Sequence, residues 1–327
     1  MRVLFLTNNR ESYVGGNYYQ DWILAFKNHH EVTLWGPGYA QPPREAICNA
    51  DLVVFGHGAI DILLMERKWH KSRRSLFPWR NRLPWYNVDF AKLGCPRILL
   101  SKNDYKLIDE KIALAKHQAI DLFITHSRSA APVFSASGCP VEWIPFGYNS
   151  DMFRTKGLTR DIDIGFRGCL HLQHTKSLRG DAIEIVKNAC ADRRLDLVAS
   201  DNVENFLVGD AYVDWINRCH LNLNTISAIG TVGPRFYECL ACGTIPLAPE
   251  DEYEGILKPD EHYVALRPDL SDLREKVALY FNDDRYRSRL QAAGRLLAQK
   301  AEKEERYQAL WRMLEARGIV PKTEEGI

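Results

Sequence analysis

Short apolar runs of strand length, each closed by glycine or polar residues, alternate with helical patterns along this chain, and they do so in two series. The first series opens with "RVLFLTNN". It continues through the helical pattern "NYYQDWILAFKNHH" to "EVTLWG" and "DLVVFGHG". Then come "PRILLSKND", a helix across 105–118, "DLFITHS", a short helix and "VEWIPFGYN". Runs this short and this continuously apolar have no polar side to offer water, so their sheet must be covered on both faces. Alternating helices supply that cover and make the sheet parallel. Six such strands in the first 145 residues make one doubly wound domain.

The alternation breaks at "GYNSDMFRTKGLTRD", residues 147–161, which is polar, contains glycine and has no period; it reads as an interdomain linker. The cycle restarts at "IDIGFRG". A helix over 176–190, "LDLVAS", a helix near 210–218, "HLNLNT", a helix over 235–242, "TIPLAP" and "HYVAL" follow. Three helical patterns then fill 270–281, 283–299 and 302–317, the last with Tyr307, Leu310, Trp311 and Leu314 at the spacing of one buried face. The expected fold class is α/β, with two Rossmann-like doubly wound domains facing across a cleft and C-terminal helices packing back. The expected boundaries are 1–150, 151–300 and a C-terminal helix and tail over 301–327.

Length agrees, since 327 residues suit about two domains. No apolar run approaches the ~20 residues that span a bilayer, and "MRVLFLTNNR" is too short for a signal peptide. The eight cysteines are scattered through core-like segments, which reads as reduced thiols in a cytoplasmic protein. Cys239 and Cys242 form a C-x-x-C pair, but no second pair completes a zinc site, so they read as small core residues.

Ligands of such sheets bind at the carboxyl ends of the strands. In the second domain three loops there stand out. "FRGCLHLQHTKSLRG" (166–180) places Gly168 at a strand end and Lys176 and Arg179 at a helix start, which suits a diphosphate. "NTISAIGTVGPR" (224–235) is rich in glycine and small residues, so its backbone can approach a ligand. "RFYECLACGTIPLAPEDEYEG" (235–255) puts Arg235 and Glu238 one helical turn apart. A surface ion pair is one reading of those two; a carboxylate for ribose hydroxyls beside a cation for phosphate is the other.

With these segments in view, the C-terminal half resembles the nucleotide-sugar domain of GT-B glycosyltransferases, most nearly the CgeB-like and related group-1 enzymes. "RFYECLACGTIPLAP" matches that family's Arg-x-x-Glu-x-x-x-x-Gly-x-x-Pro pattern. "DIGFRG" resembles the start of its donor domain, and "CPVEWIPFGYNSDMF" the segment leading out of its first domain. The resemblance implies an acceptor-binding first domain and a nucleotide-sugar-binding second one. It implies that Glu238 holds the donor ribose, Gly168 sits against the diphosphate, Lys176 faces phosphate, and the turn from Gly243 to Pro246 shapes the donor pocket. Two positions depart from the family. Gly230 stands where many retaining relatives carry a second glutamate, and Cys169 where many carry arginine; Arg167 or Arg179 is the substitute to weigh for the latter.

The acceptor side is expected in the first domain. Gly15 and Gly16 open its first helix, where backbone amides can line a ligand or simply form a tight turn. His57, Asp104 and His126 end three successive strands. An inverting enzyme needs a base, for which His57 or Asp104 is the candidate; in a retaining one the donor phosphate takes that part. "RKWHKSRRSLFPWRNRLPWY" (67–86) carries seven cations, Arg73, Arg74, Arg80 and Arg82 among them, and no acid. The chain as a whole is +1, so the remainder carries −6. Interleaved aromatics suit a polyanion, an anionic membrane or nucleic acid as well as a solvated loop.

The function expected from sequence is therefore transfer of a sugar from a nucleoside-diphosphate donor, UDP-sugar first, to an acceptor that the basic segment would suit if anionic. That acceptor would be a lipid-linked glycan, a polymer or a nucleic acid. No cofactor and no metal is expected to be bound; "DID" at 161–163 formally matches the Asp-x-Asp of metal-dependent enzymes but enters a strand instead of leaving one. The expected location is cytoplasmic or peripheral at a membrane. The alternatives are a nucleotide-sugar 2-epimerase on the same fold and a non-catalytic sugar-nucleotide or glycan-binding protein.

Overall fold

The computed structural model describes residues 1–7, 18–36, 38–57, 59, 88–168, 176–199, 207–225 and 230–322, with backbone alone at 18, 19 and 176–179. The basic segment 67–86 and the Gly15–Gly16 pair lie outside the described residues. Two compact units emerge, Met1–Pro145 with Lys303–Ile327, and Phe146–Glu302.

The first unit contains β1 (Arg2–Leu6), α1 (Tyr18–His29), β2 (Glu31–Trp35), α2 (Arg44–Cys48) and β3 (Leu52–Phe55). Then come β4 (Arg97–Leu100), α3 (Ile108–His117), β5 (Leu122–Thr125), α4 (Ala131–Phe134) and β6 (Val141–Trp143). All its strand pairings are parallel, in the order β2-β1-β3-β4-β5-β6. β3 and β5 are buried at every residue, which is why their sequences are apolar throughout. Alternate residues still sort to two cores. Val3, Phe5, Leu52, Val54, Ile98 and Leu100 meet α1 through Trp22 and Phe26, while Leu4, Leu6, Val53, Phe55 and Leu99 form the opposite core. The face with α1 also receives α10 (Lys303–Ala316), through Tyr307, Leu310, Trp311 and Leu314, the residues whose spacing marks that helix as one-faced.

The second unit runs β7 (Ile162–Gly168), α5 (Lys176–Ala189), β8 (Leu195–Ala199), α6 (Gly209–Arg218), β9 (Cys219–Leu223), α7 (Pro234–Ala241), β10 (Ile245–Pro249) and β11 (Val264–Leu266). It ends in α8 (Leu273–Asn282) and α9 (Asp284–Lys300). Its order β11-β10-β9-β7-β8 is parallel throughout. Because β8 lies on one side of β7 and β9 on the other, the switch point falls between β7 and β9, where Gly168 ends its strand.

Residues 147–161, which read as a linker, are packed into the second unit. Tyr148 and Phe153 are buried, and Asn217 donates to the carbonyl of Arg154 and accepts from the amide of Lys156. A polar stretch without period is anchored here by two aromatics and one amide, which no periodicity test detects. Among the described residues no helix is long and apolar enough to cross a membrane.

Candidate functional site

Three of the sequence candidates meet at the carboxyl end of the second sheet. Gly168 closes β7, and a Cβ there would lie 3.4 and 3.6 Å from the two terminal nitrogens of Arg235. The Arg235 guanidinium in turn stacks over Phe166, 5.5 Å from its ring centroid. Three residues along α7, Glu238 is 5% exposed, so Arg235 and Glu238 are not a solvated surface pair. The helix starts with Pro234 in its first turn, behind an extended Gly233.

Tyr212, on α6, also reaches this cluster, and sequence reading did not single it out. Its hydroxyl donates to Glu238 Oε2 at 3.4 Å. The ring stacks on Trp215 at 6.0 Å and meets Phe153 edge-on at 6.1 Å. Burial, reinforced by Glu238, pushes the phenol far above its ordinary value, so it stays protonated.

Lys176 and Arg179 lie on the first turn of α5, with their side chains outside the described atoms. Arg167, weighed as a substitute cation, is otherwise engaged. It pairs with Asp196 at 2.6 Å and lies over Trp215, whose indole also donates to Asp196. Among the described side chains, the cation beside Gly168 is Arg235 and not Arg167.

Gly243 has a structural reason of its own. It follows α7 at φ +73°, a left-handed cap that glycine adopts without strain. A Cβ there would sit 3.1 Å from the Arg160 guanidinium, which caps α7 by donating to Cys242 O at 2.9 Å. Gly230 is also left-handed, at φ +66°, and a side chain there would meet the Asp251 carboxylate at 3.6 Å. Cys239 and Cys242 are fully buried. Burial pushes the Cys242 thiol up to about 12, so it is protonated and inert. In "DID", Asp161 pairs with Arg218 and Asp163 with Arg194, so both acids are held at the amino end of β7.

In the first unit the adjacency of β3, β4 and β5 brings His57, Asp104 and His126 together. Asp104 is buried, and four donors fill its oxygens: Ser101 Oγ, Thr125 Oγ1 at 2.6 Å, the His126 amide at 2.9 Å and Lys111 Nζ at 3.4 Å. Burial alone would raise its carboxyl, but Lys111, His126, Ser101 and Thr125 outweigh that and hold it below the ordinary range. A carboxylate so occupied is a weak base.

The histidines form an ordered pair. His126 Nδ1 donates to Ile144 O at 2.6 Å, which makes its Nε2 an acceptor; His57 Nε2–H must then donate to it across 2.9 Å. Burial pushes His126 down to about 3 and His57 well below its usual value, so both rings are neutral at pH 7. The basic nitrogen of His57 is therefore Nδ1. Gly15, Gly16, Arg73, Arg74, Arg80 and Arg82 lie outside the described residues.

With this geometry in hand, comparison with known proteins gives consistent findings. A family model described as "Glycosyl transferase-like" matches residues 179–315. No curated protein matches the chain. Among solved structures, HepE of Anabaena in complex with UDP aligns at TM-score 0.60 with 11% identity, over 97% of this chain and all of that one. Sucrose-phosphate synthase of Thermosynechococcus elongatus aligns at 0.55 with 11% identity, over 96% and 99%. AviGT4, a glycosyltransferase involved in avilamycin A biosynthesis, aligns at 0.53 with 10% identity, over 98% and 99%. In sequence across 179–315 and in fold across nearly its whole length, the chain is similar to the group-1 glycosyltransferases of GT-B architecture.

Proposed function

We propose that the chain is a glycosyltransferase that takes a sugar from a nucleoside-diphosphate donor, UDP-sugar first, at the carboxyl end of its second sheet. The observation that carries this reading is the meeting of Gly168, Arg235 and Glu238 at the β7/β9 switch point. A glycine without a side chain lets a diphosphate approach the strand end, a guanidinium faces its charge, and a carboxylate accepts from ribose hydroxyls. HepE, solved with UDP, supports the choice of base. Stabilisation of the leaving diphosphate falls to Arg235, with Lys176 and Arg179 at the start of α5, and needs no resident metal.

Within the first unit, which we assign to the acceptor, His57 and Asp104 stay the two base candidates, and the structure weakens both as bases: burial and His126 push the His57 imidazole well below its usual value, and its donors fill Asp104 and hold its carboxyl low. Asp104 also holds the His126 backbone.

A thermal-shift panel of UDP, GDP, ADP and TDP and their sugars tests the donor assignment, with glycosyl transfer and donor hydrolysis measured beside it. UDP compounds should raise the melting temperature most, since saturation at 100 times Kd adds about 2.7 kcal/mol. No shift with any nucleotide would end the reading. Product analysis separates transfer from 2-epimerisation, and binding with neither product would mark a non-catalytic binder.

The basic segment 67–86 supports an anionic acceptor. Replacing Arg73, Arg74, Arg80 and Arg82 together by Gln should raise the acceptor KM and leave donor affinity unchanged. The difference should shrink as salt rises, because exposed charges are screened beyond ~8 Å at physiological ionic strength. Wild-type kinetics in the fourfold variant at low salt would refute the anionic-acceptor assignment.

A further inference from the structure

We infer that Arg160 is a positioning residue for the donor site: from the segment 151–160 it clamps the C-terminal end of α7 and so sets where Arg235 and Glu238 stand at the strand ends. This rests on the donor-site reading above and gives a function to a stretch whose sequence reads as a linker.

A helix leaves its last four carbonyls without partners inside the helix. At the end of α7 the turn through Gly243 satisfies two of them. The Thr244 amide donates to Cys239 O at 2.9 Å and the Gly243 amide to Leu240 O at 3.1 Å. The other two, Ala241 O and Cys242 O, are met from the segment 151–160, by Thr155 Oγ1 at 3.5 Å and by Arg160 Nη2 at 2.9 Å. The first of these is long for a hydrogen bond, so the hold on the helix end rests on Arg160.

The same guanidinium reaches three further segments. Its Nη1 donates to Cys219 O and, at 2.8 Å, to Thr244 Oγ1, which donates in turn to Ile216 O at 2.7 Å. One cation thus ties the end of α7 to the end of α6, the first residue of β9 and the entry to β10. The segment that carries it is itself fixed, because Asn217 holds Arg154 O at 3.1 Å and the Lys156 amide at 2.8 Å. Among the described residues Arg160 pairs with no carboxylate; a cation at a helix C-terminus is met by the carbonyl dipoles there. Because α7 is only eight residues long, a shift at its end moves Arg235 and Glu238 with it. Misplacing a binding group by about 1 Å can cost on the order of 10²-fold.

The test titrates UDP into the full chain by calorimetry, as wild type, Arg160→Gln, Thr244→Val and Asp260→Asn, each well below its own melting temperature. Asp260 holds Lys276 and Tyr286, so its variant is the control for stability lost elsewhere in the same unit. Arg160→Gln should bind UDP about tenfold or more weakly while folded. Thr244→Val, which keeps the shape and removes one partner of the guanidinium, should lose about threefold; it decides the matter if Arg160→Gln does not fold. Asp260→Asn should melt lower and keep wild-type affinity. If folded Arg160→Gln binds UDP as wild type does, or if Asp260→Asn loses as much affinity as the clamp variants, Arg160 is a structural cap alone and the inference is wrong. If wild type does not bind UDP, or Glu238→Gln binds it equally well, the donor-site reading fails and this inference goes with it.

Discussion

Arg306→Met should destabilise the protein by about 3–5 kcal/mol, the loss expected when a buried charge is left without its partner. Asp21 is 0% exposed and Arg306 3% exposed, and the Arg306 guanidinium donates to Asp21 Oδ2 and to Pro145 O, the latter at 2.9 Å. It also lies over Trp22, 4.3 Å from the ring centroid. One side chain thus ties the C-terminal helix α10 to α1 and to the chain leaving β6. Burial pushes the Asp21 carboxyl up to about 6, against the opposing pull of Arg306, the Trp22 amide and Lys303.

The sign of the pH effect follows from that direction. A carboxyl raised above its unfolded value takes up its proton first in the folded state, so its contribution favours folding at low pH and is lost as pH rises from about 4 through about 6. Without Arg306 the carboxylate is still harder to ionise. The penalty of Arg306→Met should therefore be largest near pH 8 and shrink toward pH 5, where Asp21 is neutral. Denaturant unfolding at both pH values measures this. The double variant Asp21→Leu/Arg306→Met should recover most of the loss, because apolar residues of similar size often replace a buried pair at little cost. An equal penalty at pH 5 and pH 8 would mean that the loss of packing on Trp22, and not the orphaned charge, dominates.

What the sequence makes legible here is whatever depends on neighbours along the chain. The strands are visible because a strand covered on both faces is apolar at every position, as "LVVF" and "LFIT" are. The cap at Gly243, and the placing of Arg235 and Glu238 one turn apart, are likewise matters of spacing on one helix. Contacts between elements distant in sequence leave no such trace. His57 and His126 each look like an isolated strand-end histidine; only the β3-β4-β5 order makes them a pair with a fixed tautomer. Tyr212 sits 26 residues before Glu238 in an amphipathic helix, where an aromatic residue reads as core. The Asp21–Arg306 pair joins residues 285 apart, on helices whose apolar faces are legible but whose partners are not. Arg167 is misleading for the same reason. Its position next to Gly168 suggests a ligand cation until Asp196, on the neighbouring strand, takes it up.

Glu238→Gln should separate binding from stability. As the ribose acceptor it would make charge-assisted bonds, so losing the carboxylate should weaken UDP binding by about 2 to 3 kcal/mol, or roughly 30- to 150-fold. The ligand-free protein should respond differently. Glu238 is 5% exposed, so its charge is held at a desolvation cost, offset in part by Tyr212 and by attraction to Arg235. An isosteric neutral amide removes that cost along with the attraction, and the two changes oppose each other. Stability without ligand should therefore stay within about 1 kcal/mol of wild type, or rise, as it does where a site is kept for binding at the expense of folding. Calorimetric titration with UDP and denaturant unfolding of the free protein give both quantities on the same sample. If stability falls by several kcal/mol while UDP affinity is unchanged, Glu238 is a core residue of α7 and the donor site lies elsewhere. If both fall together, folding loss accounts for the binding defect and the carboxylate has no separate claim on the ribose. Only a large loss of affinity on an intact fold fits a carboxylate buried beside Gly168 and Arg235 at a strand-end switch point.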